Sequence, residues 1–187
     1  MSFDSSSVLA VGTVAFDTIK TPFGLRERIV GGAGTYIGWS ASTLGVRTGL
    51  VSVVGDDFSQ EELTRMENAG MLVEGIERKE GEKSFFWSGS YHTDMNGRDT
   101  LETELNVLAD FKPVIPAQWK GAQWLMLGNI DPSLQASVLD MIQFKLSLWK
   151  ITLELMTISA LMKQFVLKKI SLKLLLLNLK SVLPLSG

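Results

Sequence analysis

The chain contains no cysteine in 187 residues, so it has no disulfide framework, no thiolate metal ligand and no cysteine nucleophile. It has one histidine, His92, set in a polar stretch and read as a solvated loop residue. Excess positive charge is also missing. The net charge is −2, and no nucleic-acid-binding surface is expected from it. Residues Met1 to Ser7 lack the basic start and apolar run of a secretory signal, so a cytoplasmic protein is expected. No membrane contact is expected either. The longest apolar tract, after residue 142, is interrupted by Lys145, Lys150, Lys163, Lys168, Lys169 and Lys173, below the roughly 18–20 uninterrupted residues a spanning helix needs.

A second set of absences is local. From Gln143 onward there is no aspartate, no arginine and no glycine before Gly187, while fourteen leucines and seven lysines crowd the same stretch. With Glu154 as its one acid that segment carries +6, leaving −8 on residues 1–142. A single α/β domain does not change composition so abruptly in mid-core. The chain therefore divides at 142/143.

Residues 1–142 carry alternating strand and helix signals. Val8 to Gly12 is a short buried strand, followed by a loop, 13–18, that presents Asp17 past the strand's carboxyl end, where ligands bind in open α/β sheets. Leu25 to Val30 reads as a second strand. Gly31-Gly32-Ala33-Gly34 then precedes a helix of small residues over 36–44; glycines there let backbone approach a ligand closely and leave N–H groups free at a helix start. Thr48 to Val54 is the next buried strand. Ser59, with Glu62 three positions on, predicts a capped helix to about Ala69. Asp56 and Asp57 before it are read as helix-capping or substrate-contacting residues.

Residues 71–78 and 83–91 alternate between turn signals at Glu80-Gly81 and Asn96-Gly97, and 100–106 follows as another short run; together they read as an antiparallel flap. Trp124 to Gly128 resumes a buried strand, Asn129 to Pro132 is its polar exit, and 133–142 is a helix. The fold expected is thus α/β: a central, mainly parallel sheet flanked by helices, with a small antiparallel β lid.

Three motifs in order, Val11-Gly12-Thr13-Val14-Ala15-Phe16-Asp17, Gly31-Gly32-Ala33-Gly34-Thr35-Tyr36 and Val54-Gly55-Asp56-Asp57-Phe58, resemble the N-terminal half of a ribokinase-like (PfkB-type) carbohydrate kinase. Residues 103–111 and Gly128-Asn129-Ile130-Asp131-Pro132 are similar to segments of a bacterial sugar-kinase subgroup. The resemblance spans roughly Val8 to Ile142 and implies transfer of the ATP γ-phosphate to a sugar or nucleoside hydroxyl, with ATP and Mg²⁺ expected for the full-length family. It implies that residues 1–142 form the N-terminal part of such a domain, with lid strands at about 25–30 and 72–106. It makes Asp17 an acceptor of hydrogen bonds from sugar hydroxyls, Gly31 and Gly32 the floor of the site at the lid hinge, and Asn129 and Asp131 residues near substrate. A homodimer through the exposed lid strands is a further expectation.

The same resemblance leaves the catalytic half unaccounted for. The family's Asn-x-x-Glu and Gly-Ala-Gly-Asp motifs, whose aspartate is the base and whose glycines form the anion hole, do not occur here. No catalytic and no metal-binding residue is assigned, the C-terminal part of the fold is expected to be incomplete, and ATP binding by this chain is not expected. A non-catalytic sugar-binding or pseudokinase fragment is the alternative function. A dinucleotide-binding module is a weaker option, because Gly32-Ala33-Gly34 lacks the third glycine and does not follow the first strand. For the Leu/Lys-rich stretch 143–187, a shifted reading frame is favoured over a membrane segment or an amphipathic helix pair. Reading the coding DNA after codon 142 in its other two frames is expected to recover an Asp-Thr-Met-Asn-like stretch and, later, Gly-Ala-Gly-Asp; if neither frame contains them, the shift did not occur.

Overall fold

The computed structural model describes residues 3, 4 and 6–142, and the backbone of 150 and 151; the expectations for the rest of 143–187 lie outside the described residues. Two sheets are built from these residues. The larger is all parallel, in the order β5-β4-β1-β8-β9: β1 (Val8–Val11), β4 (Thr48–Gly55), β5 (Met71–Lys79), β8 (Trp124–Leu127) and β9 (Lys150–Ile151). The smaller, in the order β3-β2-β6-β7, consists of β2 (Ala15–Thr21), β3 (Gly24–Gly31), β6 (Phe85–Tyr91) and β7 (Arg98–Glu104).

Strand periodicity sorts the larger sheet into two apolar layers. Leu9 and Val11 of β1, with Val51 and Val53 of β4, point to one side, where they pack with Trp119, Leu125, Leu127 and Val138. Ala10, Leu50 and Val54 point to the other, against Val14, Phe58, Met66 and Met71. The helix α3 (Pro132–Met141) supplies the first layer through Val138. The second is closed by α1 (Ala33–Thr43) and α2 (Gln60–Asn68), through Ile37, Trp39, Leu63 and Met66. Ser52 is a polar residue on that second face and is buried; its Oγ accepts the Val14 N–H at 3.0 Å, satisfying the backbone where the chain leaves the core. Small residues set how near α1 lies to the sheet. A Cβ at Gly38 would stand 2.6 Å from the Met71 sulfur.

The lid sheet differs from the flap read in the sequence in three respects. Met71–Lys79 belongs to the core sheet as β5, paired with β4, so of the 72–106 stretch only β6 and β7 are lid strands. Its apolar start, Met71 and Leu72, is buried in the two core layers, which draws the strand into the core. Next, residues 15–21 form a strand rather than a loop. Lastly, β2 pairs parallel with β6, while β2–β3 and β6–β7 are antiparallel. Between β2 and β6 the chain passes through β3 and then four core elements, α1, β4, α2 and β5, and re-enters the lid in the same direction, which makes the central pair parallel. His92 sits in the β6–β7 connection, half exposed, with Nε2 3.0 Å from Asp99 Oδ2. No helix among the described residues is long and apolar enough to cross a membrane.

Candidate functional site

The carboxyl ends of β1 and β8 and the start of α1 meet through small residues. A Cβ on Gly12 would stand 3.0 Å from the Gly34 nitrogen and 3.3 Å from the Gly128 Cα. The chain therefore brings the exits of two core strands and the glycine turn to one place. Gly32 occupies the N-cap position of α1 with φ 94° and ψ 148°, a region that in practice only glycine adopts. It offers no side chain to cap the helix. Thr13 does that instead from the end of β1: its Oγ1 accepts the Ala33 N–H at 2.9 Å and its carbonyl accepts the Gly34 N–H at 2.9 Å. The sequence reading missed this role, because Thr13 and α1 lie twenty residues apart.

Asp17 stands on β2, within the lid. Alternation sends the flanking Phe16 inward against Phe58, with ring centroids 5.3 Å apart, and Asp17 to the opposite face. There its carboxylate lies so close to Gly31 that a Cβ would overlap it, and it accepts the Gly32 N–H. Burial pushes the Asp17 carboxyl above its ordinary value, and the Gly32 hydrogen bond only partly opposes this. Asp17 forms no ion pair with any described cationic side chain. Nearby, Tyr36 in the first turn of α1 is held above the usual phenol range by burial, and then by the charges of Asp17 and Tyr91. Register places Asp17 beside Trp87, so this face of the lid joins one carboxylate to Trp87, Tyr91 and Tyr36. Such a surface hydrogen-bonds hydroxyls and packs against flat apolar groups.

Of the residues expected at the site, Asp17, Gly31 and Gly32 are thus in mutual contact. Asn129 follows Gly128, at the same junction, and is exposed. Asp131 is otherwise engaged: it is the N-cap of α3, accepting the Ser133 N–H at 2.7 Å and the Ser133 hydroxyl, which holds its carboxyl below the ordinary range. Replacing it with alanine is expected to cost about 1 kcal/mol of stability, read from a urea melt, with ligand binding unchanged.

Asp56 and Asp57 neither cap α2 nor face Asp17. Ser59 caps that helix, accepting the Glu62 N–H at 3.3 Å. Asp56 Oδ2 accepts the Gly81 N–H at 2.5 Å, and Asp57 Oδ1 accepts both the N–H and the hydroxyl of Ser84, each at 2.7 Å. The two acids tie the β5–β6 connection, not a helix, to the end of β4. Gly55 lets that connection pass, since a Cβ there would overlap the Glu82 carbonyl.

A core of parallel strands between helices, with a four-stranded lid carrying an acid over a glycine turn, is a ribokinase-like fold, and the partial extent fits its N-terminal portion. Among proteins of known function the chain is similar to a cytidine kinase from Thermococcus kodakarensis, 27% identical over 139 residues, covering 74% of this chain and 49% of that protein. Among solved structures it resembles ribokinase from Cryptococcus neoformans in complex with ADP: TM-score 0.63, 17% identity, 82% of this chain and 52% of that one. It also resembles Burkholderia thailandensis nucleoside kinase in complex with inosine: TM-score 0.55, 16% identity, 74% and 51% covered. No family model matches the chain. The chain spans about half the length of the proteins it matches.

The described residues include no site that would hold a metal ion by protein ligands alone. No cluster of three or more metal-ligating side chains occurs among them. The charged group held against the glycine turn is a carboxylate, which repels a polyphosphate.

Proposed function

We propose that residues 1–142 form the acceptor-binding part of a ribokinase-like kinase domain, and that they hold a sugar or nucleoside by its hydroxyls. The observation that carries this reading is Asp17: a half-buried carboxylate without an ionic partner among the described residues, fixed by the Gly32 N–H and facing aromatic side chains. An uncharged polyol matches that environment. Its hydroxyls donate to the carboxylate, and no second charge has to be brought into the site. Gly31 and Gly32 form the floor, and Asn129 adds a polar group from the β8 exit. Asp131 is assigned to the α3 cap.

In the full-length kinase the phosphoryl donor would be ATP with Mg²⁺, supplying the electrophilic phosphorus and its charge neutralisation. The Asn-x-x-Glu and Gly-Ala-Gly-Asp motifs that the resemblance assigns to that chemistry do not occur in this sequence. We therefore assign this chain acceptor binding without turnover, in the cytoplasm, with self-association through the lid edge strands β3 and β7 as a second property. Titration calorimetry of the 187-residue chain with ribose and with cytidine tests the reading. Heat of binding to either, lost in Asp17→Asn, supports it; no binding of either, or ATP turnover by this chain, overturns it.

A further inference from the structure

The sequence singles out Gly55-Asp56-Asp57 as a motif, yet both acids lie off the acceptor site. Asp57 divides its two oxygens between two different parts of the molecule. Oδ1 holds Ser84, where the chain crosses from the core into the lid, while Oδ2 accepts from the Arg28 guanidinium at 3.1 Å. The Ser84 side is rigidly built: its hydroxyl also accepts the Gly55 N–H at 3.0 Å, and its carbonyl accepts Asn106 Nδ2 at 3.0 Å. The Arg28 side is less so. Arg28 lies on β3, the outer lid strand, with its side chain half exposed and its guanidinium 4.4 Å from the Phe16 ring centroid.

The backbone of β3 is shaped for this contact. Asp17 pairs with Ile29 and Ile19 with Arg26, so Glu27 and Arg28 together oppose Thr18 in a β-bulge. Arg28 has φ 46°, and its N–H donates to Thr18 Oγ1 at 3.1 Å. A bulge re-aims a side chain, and this one sets Arg28 over Phe16 and toward Asp57. A left-handed arginine is uncommon, since that region disfavours residues with a Cβ. The strand holds an unfavourable backbone conformation to reach the acid. Burial alone would raise the Asp57 carboxyl, but hydrogen bonds from Ser84 and Arg28 bring it below its ordinary value, so the pair is charged at neutral pH.

We propose that Arg28 and Asp57 form a latch that fixes the lid on the core and thereby positions Asp17 over the Gly31–Gly32 turn without touching the ligand. Phe16, stacked under Arg28, immediately precedes Asp17, so movement of the arginine is transmitted to the acid through one residue. Opening the latch frees β3 and β2 to tilt while Ser84 still anchors the β6 side. The ligand consequence rests on the acceptor-binding reading above; the mechanical one does not.

Hydrogen exchange measured by mass spectrometry on the 187-residue chain separates these roles. Asp57→Asn keeps a carbonyl oxygen for Ser84 and removes the charge facing Arg28; Arg28→Ala removes the other half. Each is expected to speed amide exchange over residues 15–31 about fivefold, the range for a partly exposed pair, with β1 and β4 unchanged. The double variant is expected to exchange no faster than either single one. Unchanged lid exchange in both single variants, or equal acceleration in β1 and β4, overturns the latch. In calorimetry with ribose and cytidine the single variants are expected to bind about fivefold more weakly, whereas Asp17→Asn loses binding without faster lid exchange. If the wild type binds neither compound, the acceptor-binding reading fails, and the exchange result alone decides the latch.

Discussion

Replacing Asp17 with asparagine is expected to raise the melting temperature at neutral pH and to weaken ribose or cytidine binding by about a hundredfold. The two effects have one cause. Asp17 is half buried and without an ion-pair partner among the described residues, so its charged form is better solvated in the unfolded chain than in the folded protein. Its pKa is raised in the folded state. A group of that kind contributes stability that is fully present below the unfolded carboxyl pKa and is lost as pH rises through the folded value. Asparagine keeps an oxygen for the Gly32 N–H and does not titrate, so it escapes that loss. The gap between variant and wild type should therefore be small near pH 3 and widen toward pH 7 in thermal melts; a variant that melts lower throughout this range refutes the argument. The binding loss follows from exchanging a carboxylate for an amide opposite two hydroxyl donors, at about 1.5–3 kcal/mol for hydrogen bonds to a charged group. A site that gains stability when its acid is neutralised is organised for a ligand rather than for folding.

The parts of the molecule that were legible in the sequence are those whose signals are local. β1 and β8 are short apolar runs followed by glycine, and β4 is a largely apolar run, interrupted by Ser52, that ends in glycine and is buried along its whole length. The start and stop of α2 are written in Ser59, Glu62 and Gly70. The glycine turn was legible because a close approach and a positive φ leave a composition mark. What escaped was decided at a distance. Residues 15–21 became a strand because β3 and β6 pair with them on either side, although Thr18, Ile19 and Thr21 are β-branched and were a usable signal. Met71–Lys79 alternates much as a lid strand would; its pairing with β4 and the packing of Met71, Leu72, Val73 and Ile76 in the core layers assign it to the core. Asp57 stands just before a helix, which suggested a cap. Its partners, Arg28 and Ser84, come from 29 residues before and 27 after, and no sequence window contains them.

Gly32→Ala carries the second large effect. At φ 94° and ψ 148° an alanine is in a region populated essentially by glycine. Its Cβ would overlap the Thr13 carbonyl oxygen and approach the Ala15 nitrogen to 3.1 Å. Both obstacles are backbone atoms, so no side-chain rotation relieves them. Nor can Thr13 retreat freely: its carbonyl and hydroxyl accept from Gly34 and Ala33, and Gly12 beside it is packed against Gly34 and Gly128. Relief requires α1 to move away from β1, which breaks the two bonds that cap the helix and separates the Gly32 N–H from Asp17. Adding about 1–3 kcal/mol of backbone strain to the loss of a cap, at about 1 kcal/mol, predicts destabilisation of about 3 kcal/mol in urea unfolding, with acceptor binding lost alongside. Gly31→Ala is the informative control. The group its Cβ meets is the Asp17 side chain, which can rotate, so Gly31→Ala should impair binding while costing much less stability. If both variants lose stability equally, the turn serves folding alone; if only Gly32→Ala does, the two glycines divide the work, one seating the helix and the other leaving room for the acid.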